Sequence, residues 1–277
     1  MVSYADDTTL IVSGSSADEI ADQINNTLQL ITSWTHSNRL KLNLNKTKFS
    51  LFTNHRDLSI DRVMIDGIPI NRCSQYKILG LILDENLTFG SHINQINRKI
   101  AYCAHAISRL DGSISTSVKK TLYYAYAEPH IRYAIEIYGN THKKYIKKLK
   151  RLQNRIIKHI YGSVTMNTSI GEMYSKLGLC NISNIFKHQI GCCMHKLMNG
   201  NLPSPLDTVF KQDERPHYTL RNIDDLTVPK ARLASTRKSL CWIGPLIWNG
   251  IPKELQSMKF HNFEKNYRLH LLSRDYK

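Results

Sequence analysis

Asp6 and Asp7 stand side by side in Val-Ser-Tyr-Ala-Asp-Asp-Thr-Thr-Leu-Ile-Val, residues 2–12. Adjacent carboxylates repel each other in a low dielectric. They persist where water solvates them or where a divalent cation lies between them and another anion. Mg²⁺ takes few carboxylates together with substrate phosphates, so this pair is sensible ligand chemistry for phosphoryl transfer. A bare pair of aspartates is common at solvated turns, and taken alone that is the better reading.

A second chemical feature is cationic. Lys143, Lys144, Lys147, Lys148, Lys150, Arg151, Arg155 and Lys158 crowd one stretch without an acid among them. An ordinary solvated helix face mixes signs in i,i+4 pairs. An acid-free face points instead to a polyanion, with nucleic acid ahead of a membrane surface. The whole chain of 277 residues has a formal net charge of +16. Residues 91–160 hold fourteen Lys and Arg against Asp111, Glu128 and Glu136, whereas residues 1–60 are near neutral. Candidate acids and candidate phosphate binders therefore lie in different segments.

A third group, Cys180, His188, Cys192 and His195, has zinc-ligand side chains. Its gaps of seven, three and two residues fit no structural zinc pattern, and core packing is the better reading. The six cysteines show no disulfide framework and read as reduced thiols in an intracellular protein. Nothing near residue 1 reads as a signal peptide, and no apolar run is long enough to span a bilayer.

The elements that must position these residues follow from periodicity. Val2 and Tyr4 against residues 10–12 predict a hairpin with the aspartates at its turn. Ser16 and Glu19 form a capping box, and Ile20, Ile24, Leu28 and Ile31 give the helix behind it one apolar stripe. Alternation over residues 40–51 predicts strand, turn, strand. Asp66-Gly67 predicts a tight hairpin, and residues 76–84 a further strand pair. From residue 90 the period is helical. Ile93, Ile96, Ile100, Ala104, Ile107 and Leu110 form one stripe, with Ser91 as cap. Val118, Leu122 and Tyr126 begin another helical region, which Pro129 kinks or splits. Tyr145, Leu149, Leu152, Ile156 and Ile160 line the basic helix, and a helix is predicted over 182–198. Residues 206–240 read as loop, and an aromatic tail precedes a short basic helix. The fold class is α+β: short antiparallel strands plus one helix, then a mainly helical remainder.

Taken together, four motifs in order resemble non-LTR (LINE-like, jockey-type) retrotransposon reverse transcriptases. They are Tyr4-Ala5-Asp6-Asp7 between strands, Asn43-Leu44-Asn45-Lys46-Thr47, the pair at residues 76–84 with the lead-in Leu87-Thr88-Phe89, and the tail at residues 244–252. The resemblance covers residues 1–160 and 231–272. It implies a partial polymerase palm over 1–89 with primer-grip-like strands, a helical basic thumb over 90–162, and a C-terminal post-thumb region over 163–277. It implies that Asp6 is a ligand of catalytic Mg²⁺ and that Asp7 belongs to the same site. It implies that Lys46 or Lys48 gives a proton to the pyrophosphate leaving group. Tyr76, Lys77 and Gly80 take primer-grip positions, although an ordinary strand with a glycine bulge also explains Gly80. The implied partners are an RNA template and a DNA primer, with dNTP in the full-length parent and no membrane, and the implied compartment is the nucleus.

The family also needs an aspartate on a strand upstream of this hairpin, and a two-metal site needs both strands. The expectation is therefore a C-terminal fragment that binds Mg²⁺ weakly or not at all and does not polymerise alone. The competing expectation is a non-catalytic nucleic-acid-binding remnant.

Overall fold

The computed structural model describes residues 1–53, 58–60, 62–110, 112–162, 168–202 and 225–274. The chain divides into two compact units, Met1–Thr88 and Phe89–Lys277. The first holds three antiparallel two-stranded sheets and one helix among its described residues, and the second is helical, so the class is α+β.

In the first unit, β1 (Val2–Tyr4) pairs with β2 (Asp7–Thr9), with Tyr4 opposite Asp7. Ala5 and Asp6 form the turn, and Ala5 takes a left-handed φ of 51°. The hairpin is thus tighter than its apolar pattern predicts. Its second strand begins at the acid pair and stops before Leu10, because a two-residue turn fixes the register. Helix α1 (Ala17–Ser37) begins at Ser16, whose hydroxyl accepts from the Glu19 N–H at 3.2 Å. Glu19 reaches back one residue further than the usual box and accepts from both the N–H and the hydroxyl of Ser15 at 2.8 Å. Its apolar side packs with Leu51, Ile60, Val63, Ile65 and Ile70.

The alternating stretch at 40–51 is not a strand pair. Asn43 gathers it into a turn: its carbonyl accepts from the N–H of Lys46 and Thr47 at 3.1 and 3.0 Å. Its Oδ1 also accepts from the Lys46 N–H at 3.2 Å. Local side-chain bonds of this kind compete with a ladder, and the isolated bridge made by Phe49 is a parallel one to Arg72, outside the predicted pairing. The two later hairpins form where the sequence predicts them. β3 (Met64–Ile65) and β4 (Ile68–Pro69) turn at Asp66-Gly67, both with positive φ. β5 (Gln75–Ile78) and β6 (Leu81–Asp84) turn at Leu79-Gly80, with φ of 45° and 90°.

The second unit opens with α2 (Gly90–Arg109). Its N-cap is Phe89 in a left-handed conformation, not Ser91, which lies inside the helix. Ile93, Ile96, Ile100, Ala104 and Ile107 are buried, whereas Leu110, the sixth position of the predicted stripe, is the exposed C-cap beyond the last turn. Next come α3 (Thr116–Tyr126), α4 (Glu128–Arg132) and α5 (Ile135–Tyr138), so the helix breaks at Ala127, just before Pro129. The buried side of α3 is Lys119 and Tyr123; Val118 and Tyr126 face solvent, one position off the predicted stripe. Lys119 can be buried because its ammonium donates to the His159 carbonyl at 3.1 Å. Then follow α6 (Lys143–Tyr161), α7 (Ile170–Leu177) and α8 (Ile182–Met198). The aromatic tail is α9 (Leu240–Asn249), α10 (Lys253–Gln256) and α11 (Phe260–Arg274). Trp248, Ile251, Phe263, Tyr267 and Leu271 pack on Ile190, Cys192 and Met194 of α8. Of the stretch read as loop, residues 206–240, residues 206–224 lie outside the described residues. Residues 90–162 and 163–277 share this one unit, since α6 packs on both α7 and α8.

Candidate nucleic-acid interface

The Asp6–Asp7 pair sits at the tip of the β1–β2 hairpin with both residues exposed. The hairpin holds itself by its ladder and by one side-chain bond, Ser3 to Thr8 at 3.3 Å. Carboxylate oxygens suit Mg²⁺ in kind. Among the described residues no group of three or more His, Cys, Asp or Glu side chains comes close enough to hold a metal.

Lys46 is exposed at the turn that Asn43 organises. Sequence reading valued this motif for its lysine, but the residue that shapes it is Asn43, and the signal was the Asx turn. Tyr76 and Lys77 lie on β5 opposite Leu83 and Ile82. Tyr76 is half-buried, with its ring edge-on to Phe52 at 6.2 Å, and burial pushes its phenol pKa up. Lys77 is exposed. Gly80 is the second turn residue and not a bulge; its φ of 90° is one that side chains rarely adopt. Asp6–Asp7 and Tyr76–Lys77 lie on separate two-stranded sheets.

The basic helix is the sharper feature. All eight cations predicted on α6 are exposed, while Leu149, Gln153, Ile156, Ile157 and Ile160 are buried. At about 100° per residue the eight fall within one arc of roughly 160°, and the buried residues fall on the opposite side. From Lys143 to Lys158 they run along roughly 22 Å of helix. Among the described residues none of the eight forms an ion pair with an acid. One, Lys144, lies over the Tyr145 ring at 4.8 Å.

The face is held firmly from behind. Gly90 of α2 lets the helices close up, because a Cβ there would meet the Tyr145 ring at 2.7 Å. Gln153 is fully buried; its amide donates to the Tyr123 hydroxyl at 2.8 Å and the Cys180 carbonyl at 3.0 Å. Its Oε1 accepts from the Ile182 N–H at 3.0 Å. One side chain so ties α6 to α3 and to the start of α8.

The Cys and His group is used for packing. Nε2 of His188 bonds the Glu264 carbonyl at 2.9 Å, and Nε2 of His195 bonds the Met258 carbonyl at 2.8 Å. Burial pushes the Cys192 thiol up to about 12, against the thiolate a metal would need.

Comparison with known proteins finds similar polymerases. Over 167 residues, 59% of the chain, it is 27% identical to the RNA-directed DNA polymerase from mobile element jockey of Drosophila melanogaster. The jockey polymerase of Drosophila funebris is 28% identical over 171 residues. The chain is similar to jockey-type RNA-directed DNA polymerases. The probable RNA-directed DNA polymerase from transposon BS of Drosophila melanogaster, 28% identical over 167 residues, extends the group. Each of these matches spans 18% of the length of the jockey-type relative. No family model matches the chain, and no solved structure does. Among the described residues no helix is long and apolar enough to cross a membrane.

Proposed function

We propose that the chain is the part of a non-LTR retrotransposon reverse transcriptase that carries a partial palm, the thumb and the region after it. The observation that carries this reading is the similarity to jockey-type polymerases. The Tyr-Ala-Asp-Asp hairpin and the acid-free face of α6 support it. In the complete polymerase the reaction is template-directed addition of dNTP to a primer 3′-OH. Asp6 and Asp7 serve there as carboxylates of a Mg²⁺ site completed by donors that the described residues do not bring to them. Lys46 stands in the motif of the leaving-group lysine. Tyr76, Lys77 and the Gly80 turn touch the primer, and α6 holds the template–primer backbone.

These residues by themselves bind nucleic acid and do not polymerise. The test is primer extension by the purified chain, beside binding of an RNA–DNA hybrid across a salt series. The expected result is no extension in Mg²⁺, with binding that falls steeply as salt rises. Changing Lys147, Lys148, Lys150 and Arg151 to Glu flattens the log–log salt slope by roughly 3 if each contacts a phosphate. Extension by the chain alone overturns the inactivity, and binding unchanged in that variant overturns the role of α6.

A second reading, a non-catalytic nucleic-acid-binding remnant, is favoured by one observation: among the described residues no further His, Cys, Asp or Glu joins the acid pair in a metal-holding group, while all eight predicted cations of α6 are exposed. Supplying the upstream palm segment of a jockey-type polymerase separates the two. Restored extension that Asp6→Asn abolishes supports the first reading.

A further inference from the structure

A cleft of about 330 Å³ opens between α4, α8 and α11, and none of the residues considered above for catalysis or nucleic-acid binding lines it. Arg132 stands on one wall; His261, Lys265 and Arg268 stand on the other, beside Glu264, and the buried His188 lies between. On α11 the lining residues recur at three- and four-residue steps, so one helix face presents them all.

Both guanidinium groups are already fixed. Arg132 donates from Nη2 to Glu128 at 2.6 Å and from Nη1 to Gln189 at 3.1 Å. Arg268 donates from Nη2 to the Tyr124 hydroxyl at 2.7 Å and lies over the Tyr124 ring at 5.5 Å. Each retains donors beyond these bonds, because a guanidinium carries five N–H groups. Anchored arginines lose little further entropy when they grip an oxyanion, and their planar fork matches phosphate oxygens. Three cations in the lining, two of them fixed, outnumber one carboxylate; Glu128, behind the wall, pairs with Arg132. Burial lowers the pKa of His188, and Arg132 and Arg268 add to that, against the raising effect of the Glu264 carbonyl and carboxylate. The volume lies at the small end of ligand pockets, roughly 300–1,000 Å³, and exceeds a lone phosphate. Leu269 offers an apolar surface for the remainder of the ligand.

We infer that this cleft is a binding site for a phosphate group borne on a larger ligand, distinct from the α6 face. The same chemistry occurs in a nucleic-acid backbone and in free pyrophosphate, and the experiment separates them. The full chain carrying the four α6 charge reversals is titrated calorimetrically with pyrophosphate and, separately, with a short single-stranded RNA. The reversals remove the competing surface. At least one ligand binds, and Lys265→Glu, an exposed change that leaves the fold intact, weakens it tenfold or more. Arg268→Lys, which keeps the charge and loses the fork, weakens it as well. Binding of RNA alone assigns the cleft to a backbone, and binding of pyrophosphate alone assigns it to a free phosphate. If neither ligand binds, or if Lys265→Glu leaves binding unchanged, the inference is wrong.

Discussion

Gln153 shows how much one side chain can carry. It is a fully buried amide that satisfies a hydroxyl, a carbonyl and an N–H from three different parts of the second unit. Gln153→Leu fills the same space and leaves all three without a partner. The expected loss is about 3 kcal/mol, since each buried group left unpaired costs roughly 1–3 and relaxation recovers some. Urea unfolding of the variant against the parent measures it. Nothing in the sequence marks this residue, because a polar side chain inside an apolar stripe reads as an exposed position. Lys119 misleads in the same way. Its ammonium caps a carbonyl of α6 while its stem is buried, which rotates the true apolar face of α3 by one residue. The left-handed pairs Asp66-Gly67 and Leu79-Gly80 are the opposite case: the glycine announces the backbone, and both hairpins form there.

Elements were legible where burial follows a single period. The α2 stripe up to Ile107 and the span of α8 match the sequence pattern because every repeat position meets a neighbouring helix. Residues 40–51 alternate like a strand, yet Asn43 offers the backbone nearer partners, so a turn forms. The acid hairpin was legible as a hairpin, but not its register, which depends on which two residues make the turn. Ala5 occupies a left-handed position in that turn, where a Cβ costs roughly 1–2 kcal/mol. Ala5→Gly therefore steadies the hairpin. Amide hydrogen exchange of Tyr4 and Asp7 should slow by about five- to thirtyfold, and unchanged or faster exchange would argue against strain at Ala5.

For the molecule as a whole, four histidines of the second unit shift in one direction. His92, His130, His188 and His270 all have lowered pKa values, with burial the first cause in each. A lowered folded value means that the unfolded chain takes up protons first as pH falls. Their contribution to stability is complete above the ordinary value of 6.5 and is lost as pH drops through the folded values. The midpoint of urea unfolding should decline from pH 7 toward pH 5, and His188→Gln should flatten that decline. The α6 face has another consequence. Its eight cations stand within repulsive reach of each other, with like charges four residues apart at 143–147, 144–148, 147–151 and 151–155. At low ionic strength these pairs cost roughly 0.2–0.5 kcal/mol each. Added electrolyte relieves that strain and at the same time competes for the phosphates. Thermal melts and binding isotherms should therefore answer salt with opposite signs, and a bound polyanion should take over the counterions' stabilising role.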